Sequence, residues 1–75
     1  MAERAQRGLL VPRLREVRMR RAMNQPDLAE AAKCSRNTVN RGEAGHPIDP
    51  AVVRRLAAAL GVEPADLTAA QESGQ

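Results

Sequence analysis

Apolar residues recur at intervals of three and four along most of the chain, which is the spacing of amphipathic helices. The first predicted helix runs from about Pro12 to Arg21 or Ala22, with Leu14 and Val17 on its apolar face. No stretch shows the regular alternation of apolar and polar residues that is typical of strands. The pattern therefore predicts a chain built from helices alone.

Capping residues delimit two further helices. Asn24 is a suitable N-cap for a helix over about 25–32, and Ser35 is a suitable N-cap for a helix over about 35–44. Only residues 33–34 separate the two helices, so a tight turn joins them. Two short helices joined in this way form a helix-turn-helix, whose second helix is suited to the major groove of DNA.

Two more helices complete the predicted fold. Asp49 followed by Pro50 predicts a helix over 50–60 that ends at Gly61, since proline is favoured in the first turn and glycine after the last. A second proline start, at Glu63-Pro64, predicts a short fifth helix that runs through Leu67 or as far as Ala70. The sequence thus predicts an all-α, compact five-helix bundle that contains a helix-turn-helix.

Composition restricts the class of protein. The 75 residues suffice for one domain, which we place at 10–70 between a flexible basic arm at 1–9 and a frayed tail at 71–75. The chain has no Phe, Trp or Tyr, so its core must be aliphatic. One Cys and one His allow neither an intrachain disulfide nor a structural zinc site.

The same inventory bears on chemistry and location. No catalytic constellation stands out, so we expect no enzymatic activity, no metal and no cofactor. The chain has neither an apolar run of membrane-spanning length nor the apolar core of a signal peptide. We therefore expect a cytoplasmic, nucleoid-associated protein.

Charge is divided unevenly along the chain. Residues 1–42 carry ten basic and four acidic side chains, a balance of +6, whereas residues 43–75 carry two basic and five acidic side chains, a balance of −3. One basic half favours a face that binds nucleic acid. A solvated, arginine-rich surface is the alternative that charge alone leaves open.

The third predicted helix carries side chains that can read base edges. The planar guanidinium of Arg36 matches guanine O6 and N7, and the Asn37 amide matches adenine N6 and N7. Thr38 either contacts a thymine methyl or packs into the turn. Arg41 lies about 140° around the helix from Arg36, which suits a flanking base or a phosphate. These four residues are the predicted base contacts.

Most of the chain, from about residue 10 to residue 68, resembles the Cro/repressor family of bacterial and phage transcription regulators, of the xenobiotic-response-element type. The resemblance is carried by several short segments in the same order and spacing: residues 14–18, 24–29, 35–39, Glu43, Gly45, 56–62 and 66–67. It implies a lambda-repressor-like DNA-binding fold with the third helix as the recognition helix.

The resemblance also implies roles for single residues. Gln25 would bind a DNA phosphate and brace the first residues of the recognition helix. Arg18 and Glu43 would form a structural ion pair that pins this helix to the first one. The predicted phosphate contacts are Asn24, Gln25, Ser35 and Asn40.

The chain departs from the family pattern at three positions. Gly42 stands where Ile or Leu is usual, which leaves a hole for a neighbour to fill and predicts a recognition helix that is softer or ends early. Lys33 and Ala22 stand where glycine is common. A left-handed backbone at Lys33 would carry strain.

We therefore expect a sequence-specific regulator of transcription that binds double-stranded DNA, as activator or repressor. Useful specificity needs two copies on a palindrome, so we expect a homodimer at least on DNA, with the fifth helix and Leu67 as its pairing surface. A transcription-machinery or regulatory protein is a further expected partner. The alternatives are an antitoxin-like interaction module and a DNA-bending recombination accessory factor.

Overall fold

A computed structural model describes residues 8–69, so that most of the predicted arm and all of the predicted tail lie outside the described part. Within it, the all-helical fold predicted from the sequence is confirmed. The five helices are α1 (Leu14–Arg20), α2 (Gln25–Ala32), α3 (Arg36–Glu43), α4 (Pro50–Leu60) and α5 (Pro64–Thr68). Helix α2 packs against α3 and α4, while α1 reaches both α3 and α5.

The predicted N-caps are confirmed by hydrogen bonds that satisfy the first amides of three helices. Asn24 Oδ1 accepts from the Asp27 amide at 2.8 Å, and Ser35 Oγ accepts from the Thr38 amide at 3.1 Å. Asp49 Oδ1 accepts from the Ala51 amide at 2.8 Å in the same way. Because these amides have no partner within their own helix, each cap stabilises its helix by about 1 kcal/mol.

The predicted bounds of α1 are wrong by one or two residues at each end. Residues 12–13 form a turn, and the Arg13 amide donates to the Leu67 carbonyl of α5 at 3.2 Å. At the other end Ala22 is left-handed, with φ of 55°, so the helix stops at Arg20. Contacts with the rest of the fold therefore set both ends of α1.

The core is aliphatic, as the composition requires. Its buried residues are Val11, Leu14, Val17, Leu28, Ala29, Ala32, Val39, Ile48, Val53, Leu56, Ala57, Leu60 and Leu67. Leu67 is fully buried, with 0% of its surface exposed, so the prediction that it offers a pairing surface is wrong. Its side chain closes the core because α5 packs against α1 and α4.

Two core residues, Val11 and Ile48, lie outside the helices and were not predicted. Ile48 forms an isolated antiparallel bridge with Leu9, in which each amide donates to the other residue's carbonyl at 2.8 Å. This bridge fastens the segment before α1 to the loop after α3. Leu9, which the sequence assigns to the arm, is therefore tied to the folded domain.

Gly42 faces the core at a position where neighbouring side chains lie close to its backbone. A Cβ at this position would meet a methyl group of Val11 at 3.0 Å, and a methyl group of Leu14 and the Cγ1 methylene of Ile48 at 3.2 Å. These three side chains fill the space that a larger residue would occupy. The helix does not end early at Gly42, since it continues through Glu43.

The turn between α2 and α3 is strained as expected. Lys33 is left-handed, with φ of 56° and ψ of 47°, a conformation that costs a residue with a side chain about 1–2 kcal/mol. The Cys34 amide donates to the Ala29 carbonyl at 2.9 Å, and Arg55 Nε donates to the Ala32 carbonyl at 3.0 Å. These bonds hold the turn in place despite the strain.

We predict that Lys33→Gly raises the free energy of unfolding by about 0.5–1 kcal/mol, because glycine adopts the left-handed conformation without a steric penalty. Urea unfolding followed by circular dichroism measures the change. Ala31→Gly is the matched control, since residue 31 is an exposed position inside α2 and should lose about 1 kcal/mol. A destabilised Lys33→Gly variant would contradict the assignment of strain to this turn.

We further predict that Gly42→Leu lowers the free energy of unfolding by at least about 2 kcal/mol, because the new side chain overlaps the side chains of Val11, Leu14 and Ile48 around Gly42. Adding Val11→Ala should recover part of the loss, since it frees volume at the nearest contact. A Gly42→Leu variant as stable as the natural protein would contradict the close packing of these side chains against Gly42.

Candidate nucleic-acid interface

Helix α3 has one buried and one exposed face. Val39 and Gly42 are buried against the core. The side chains predicted to contact DNA from this helix lie on the other side, and all but the half-buried Thr38 are exposed: Arg36, Asn37, Thr38, Asn40 and Arg41. Burial of the apolar face thus turns the polar face outward.

The exposed face of α3 borders a groove that it shares with the start of α2. The groove, called here the α3 groove, is lined by Arg18, Asn24, Gln25, Pro26, Arg36, Asn37 and Asn40. It brings together two predicted base contacts and three predicted phosphate contacts. Thr38, Arg41 and Ser35 are not among its lining residues.

The predicted ion pair between Arg18 and Glu43 is present and largely buried. Arg18 Nε donates to Glu43 Oε2 at 2.5 Å, and Arg18 Nη2 donates to Glu43 Oε1 at 3.1 Å. Only 12% of the Arg18 side chain and 7% of the Glu43 side chain are exposed. Two parallel bonds between a guanidinium and a carboxylate fix both distance and orientation, so the pair holds the end of α3 against α1.

Two further hydrogen bonds extend this pair to α2 and to the turn before it. Arg18 Nη1 donates to the Met23 carbonyl at 2.8 Å, and Gln25 Nε2 donates to Glu43 Oε1 at 3.0 Å. Gln25 therefore braces the last residue of α3 and not the first ones, which corrects the expectation. Gln25 opens α2 and Glu43 closes α3, so the contact spans the whole helix-turn-helix.

The surroundings of Glu43 keep it ionised. Burial alone would raise the pKa of its carboxyl group, but hydrogen bonds from Arg18 and Gln25 and the Arg18 charge outweigh burial and lower it. The charge of Arg15 acts in the same direction. The hydrogen bond to Glu43 correspondingly raises the pKa of Arg18. Both partners are therefore fully charged at neutral pH.

Several predicted contacts already have partners inside the protein. Ser35 Oγ accepts from the Thr38 amide and lies 2.9 Å from Thr38 Oγ1. Asn24 Oδ1 is occupied by the Asp27 amide, which leaves the Asn24 amide group as its donor. The hydroxyls of Ser35 and Thr38 thus cap the helix, and Thr38 has its methyl group to offer a base.

Arg15 and Pro26, which are not among the predicted base and phosphate contacts, also lie near this face. Arg15 lines a second depression beside the α3 groove, together with Arg18, Gln25, Asn40, Glu43 and Ala44. The spacing of Arg15 and Arg18 on α1, three residues apart, places them on one side of the helix. That spacing is the signal that connects Arg15 to the α3 face.

Within 8–69, no group of three or more His, Cys, Asp or Glu side chains is arranged to hold a metal ion. None of the helices in the same range combines the length and the apolar composition needed to cross a bilayer.

Comparison with known proteins supports this assignment. The helix-turn-helix domain family matches residues 9–71 of the chain. The restriction-modification controller protein C.AhdI from Aeromonas hydrophila is 33% identical, with a TM-score of 0.71 over 75% of this chain and 86% of that one. The biofilm regulator SinR, solved in complex with DNA, is 19% identical, with a TM-score of 0.68 over 75% of this chain and 92% of that one, and shows the fold alone.

The same fold also occurs inside an enzyme. A structure of hydroxyethylphosphonate dioxygenase is 26% identical, with a TM-score of 0.71, over 85% of this chain but only 14% of the enzyme. A domain of this kind can therefore be one part of a much larger chain. No curated protein matches the sequence significantly.

We predict that Glu43→Gln lowers the free energy of unfolding at pH 7 by about 3 kcal/mol, because Arg18 is left largely buried without a countercharge. Urea unfolding measures the loss. Glu16→Gln is the matched control, since Glu16 pairs with Arg13 and Arg20 on the surface, where such pairs contribute little. Equal effects of the two substitutions would contradict a special role for Glu43.

The same comparison should depend on pH. The pKa of Glu43 is lowered in the folded state, so its contribution is complete above the ordinary carboxyl pKa of about 4.3 and is lost as the pH falls through the lower folded value. The stability difference between the natural protein and Glu43→Gln should therefore shrink below about pH 4. A difference that stays constant from neutral to acidic pH would contradict this.

Proposed function

The chain belongs to the helix-turn-helix domain family of DNA-binding transcriptional regulators, and we propose that it reads a specific operator sequence in double-stranded DNA with α3 in the major groove. The observation that carries the proposal is the α3 groove, where Arg36, Asn37 and Asn40 stand together beside the start of α2. The buried pair of Arg18 and Glu43 holds this surface in shape before DNA binds.

Base choice is assigned to the first turn of α3. Arg36 and Asn37 are both exposed there, and each side chain can form two hydrogen bonds with the edge of a purine. Each such pair contributes about 1–3 kcal/mol of discrimination against a wrong base. Thr38 adds a thymine-methyl contact, and Arg41, further around the helix, contacts a flanking base.

Affinity is assigned to phosphate contacts at the helix starts. In the first turn of α2, Pro26 has no amide hydrogen and the Asp27 amide is bonded to Asn24 Oδ1, so the Gln25 amide and the helix dipole are what favour an anion there. We propose that the side-chain amide groups of Asn24 and Gln25 each donate a hydrogen bond to a phosphate. The Asn24 oxygen already accepts from the Asp27 amide, and one Gln25 amide hydrogen is already donated to Glu43, so the remaining amide hydrogens make these contacts. Ser35 and Asn40 contact the adjoining backbone. Such contacts position the protein and make binding sensitive to salt.

Two copies on a palindromic site would give the specificity that a single helix-turn-helix lacks. We propose a homodimer on DNA whose pairing surface does not include Leu67, because that side chain is buried in the core. Control by a partner protein of the transcription machinery is compatible with a homodimer bound to DNA. The site of action is the cytoplasm, on the nucleoid, and no catalytic step is proposed.

Selection of bound duplexes from a random pool at near-physiological salt tests this function. We predict an enriched motif for the natural protein and its loss in the Arg36→Ala/Asn37→Ala variant. The symmetry of the motif reports whether two copies bind. Because the chain has no Trp or Tyr, affinity is best followed through a dye on the DNA.

Arg54→Ala is the control, since Arg54 is exposed on α4 and its loss removes one positive charge away from α3. This variant should keep the same motif with nearly the same affinity. Absence of any motif, with weak binding that fades steeply with salt, would overturn operator recognition. Binding only of a protein partner would favour the antitoxin-like alternative, and bending without a fixed site would favour the accessory factor.

A further inference from the structure

A separate groove, on another side of α1 from the α3 groove, lies between α1 and the α4–α5 loop. It has a volume of about 490 Å³ and is lined by Arg13, Val17, Arg20, Arg21, Val62 and Asp66. Val17 and Val62 give it an apolar floor, and three arginines stand around that floor. We call it the α1–α5 groove.

The groove carries a surplus of positive charge. Arg13 Nη2 and Arg20 Nη2 both bind Glu16 Oε2, at 3.2 Å and 3.0 Å, so one carboxylate serves two guanidinium groups. Arg20 remains 63% exposed by side chain. Arg21, just past the end of α1, reaches toward Gly61 at the end of α4, and its Nη2 lies 3.7 Å from the position of a Cβ on that glycine.

The acidic residue that lines the groove, Asp66, is already engaged. Asp66 Oδ2 accepts from the Glu63 amide at 2.9 Å and thereby caps α5. An occupant would therefore place its carboxylates near Arg20 and Arg21, away from Asp66, and an apolar side chain over Val17 and Val62.

This groove is separate from the α3 groove. The two grooves share no lining residue, although both use α1. Val17 and Arg20, which line this groove, point about 100° and 160° away from Arg18 around that helix, so that one face of α1 serves α3 and the other serves α5. An occupant of the α1–α5 groove therefore leaves Arg36 and Asn37 open.

We propose that the α1–α5 groove docks an acidic peptide segment of a partner protein, one that combines carboxylates with an apolar side chain. Charge complementarity with three arginines supplies the attraction and steers the encounter. The apolar floor favours a peptide over a second stretch of DNA, since the phosphate backbone offers nothing apolar to cover Val17 and Val62. The groove is also far larger than a single phosphate ion.

The test uses the full chain labelled with ¹⁵N and a short helical peptide made of Asp, Glu and Leu. Backbone amide shifts locate the binding site, and a fluorescent label on the peptide gives its Kd. The same peptide with Asn and Gln in place of Asp and Glu is the probe for charge. A random-sequence duplex tests whether DNA occupies the groove instead.

Two variants that each remove two positive charges separate this groove from the α3 face. Arg20→Gln/Arg21→Gln should weaken binding of the acidic peptide about fivefold to tenfold, which is the combined effect expected from the loss of two partly exposed ion pairs. The same variant should keep the preference for a DNA motif. Arg36→Gln/Arg41→Gln should bind the acidic peptide as the natural protein does and should lose the preference for a DNA motif. Failure of operator recognition and failure of peptide docking are thus measured independently.

Saturable shifts at Val17, Arg20, Arg21 and Val62, lost with the neutral peptide and in Arg20→Gln/Arg21→Gln, are the expected result. Three outcomes would overturn the proposal. These are shifts confined to α3, equal binding of the acidic and neutral peptides, and displacement of the acidic peptide from this groove by random-sequence DNA.

Discussion

The buried ion pair between Arg18 and Glu43 is the contact on which the helix-turn-helix geometry depends. Its two hydrogen bonds join α1 to the end of α3, and the bonds to Met23 and Gln25 add the turn before α2 and the start of α2. Three helices thus meet at one carboxylate. Since a buried charge without its partner is strongly unfavourable, any movement of α3 away from α1 is resisted. The surface of α3 is therefore set before DNA arrives.

The small aliphatic core imposes a second constraint on α3. Val11, Leu14 and Ile48 press against Gly42 at distances that leave no room for a side chain, so α3 lies very close to the segment before α1. The bridge between Leu9 and Ile48 joins the segment before α1 to the loop after α3 in the same region. Close packing on the buried face and the ion pair at the end of α3 together hold this helix against the core.

The sequence predicted much of this fold because its signals are local. Asn24, Ser35 and Asp49 each cap a helix through a bond to a residue two or three positions on, and Gly61 ends α4 in the left-handed conformation. Among the long-range contacts, the pair of Arg18 and Glu43 was predicted from the family resemblance, whereas others were missed or misjudged. The burial of Leu67, the strand-like pairing of Leu9 and the contact of Gln25 with Glu43 depend on neighbours distant in sequence, which periodicity and capping do not reveal. The roles of Arg36 and Asn37 toward DNA remain predictions.

Hydrogen exchange of the α3 amides in the absence of DNA tests most directly whether the ion pair positions the recognition surface. In Arg18→Met, the amides of residues 40–44 should exchange faster by a larger factor than the amides of the buried helix α4, because α3 opens locally before the fold is lost. The same loss of protection in α3 and α4 would show that the pair stabilises the whole domain without positioning α3. Unchanged protection of α3 would contradict the account outright.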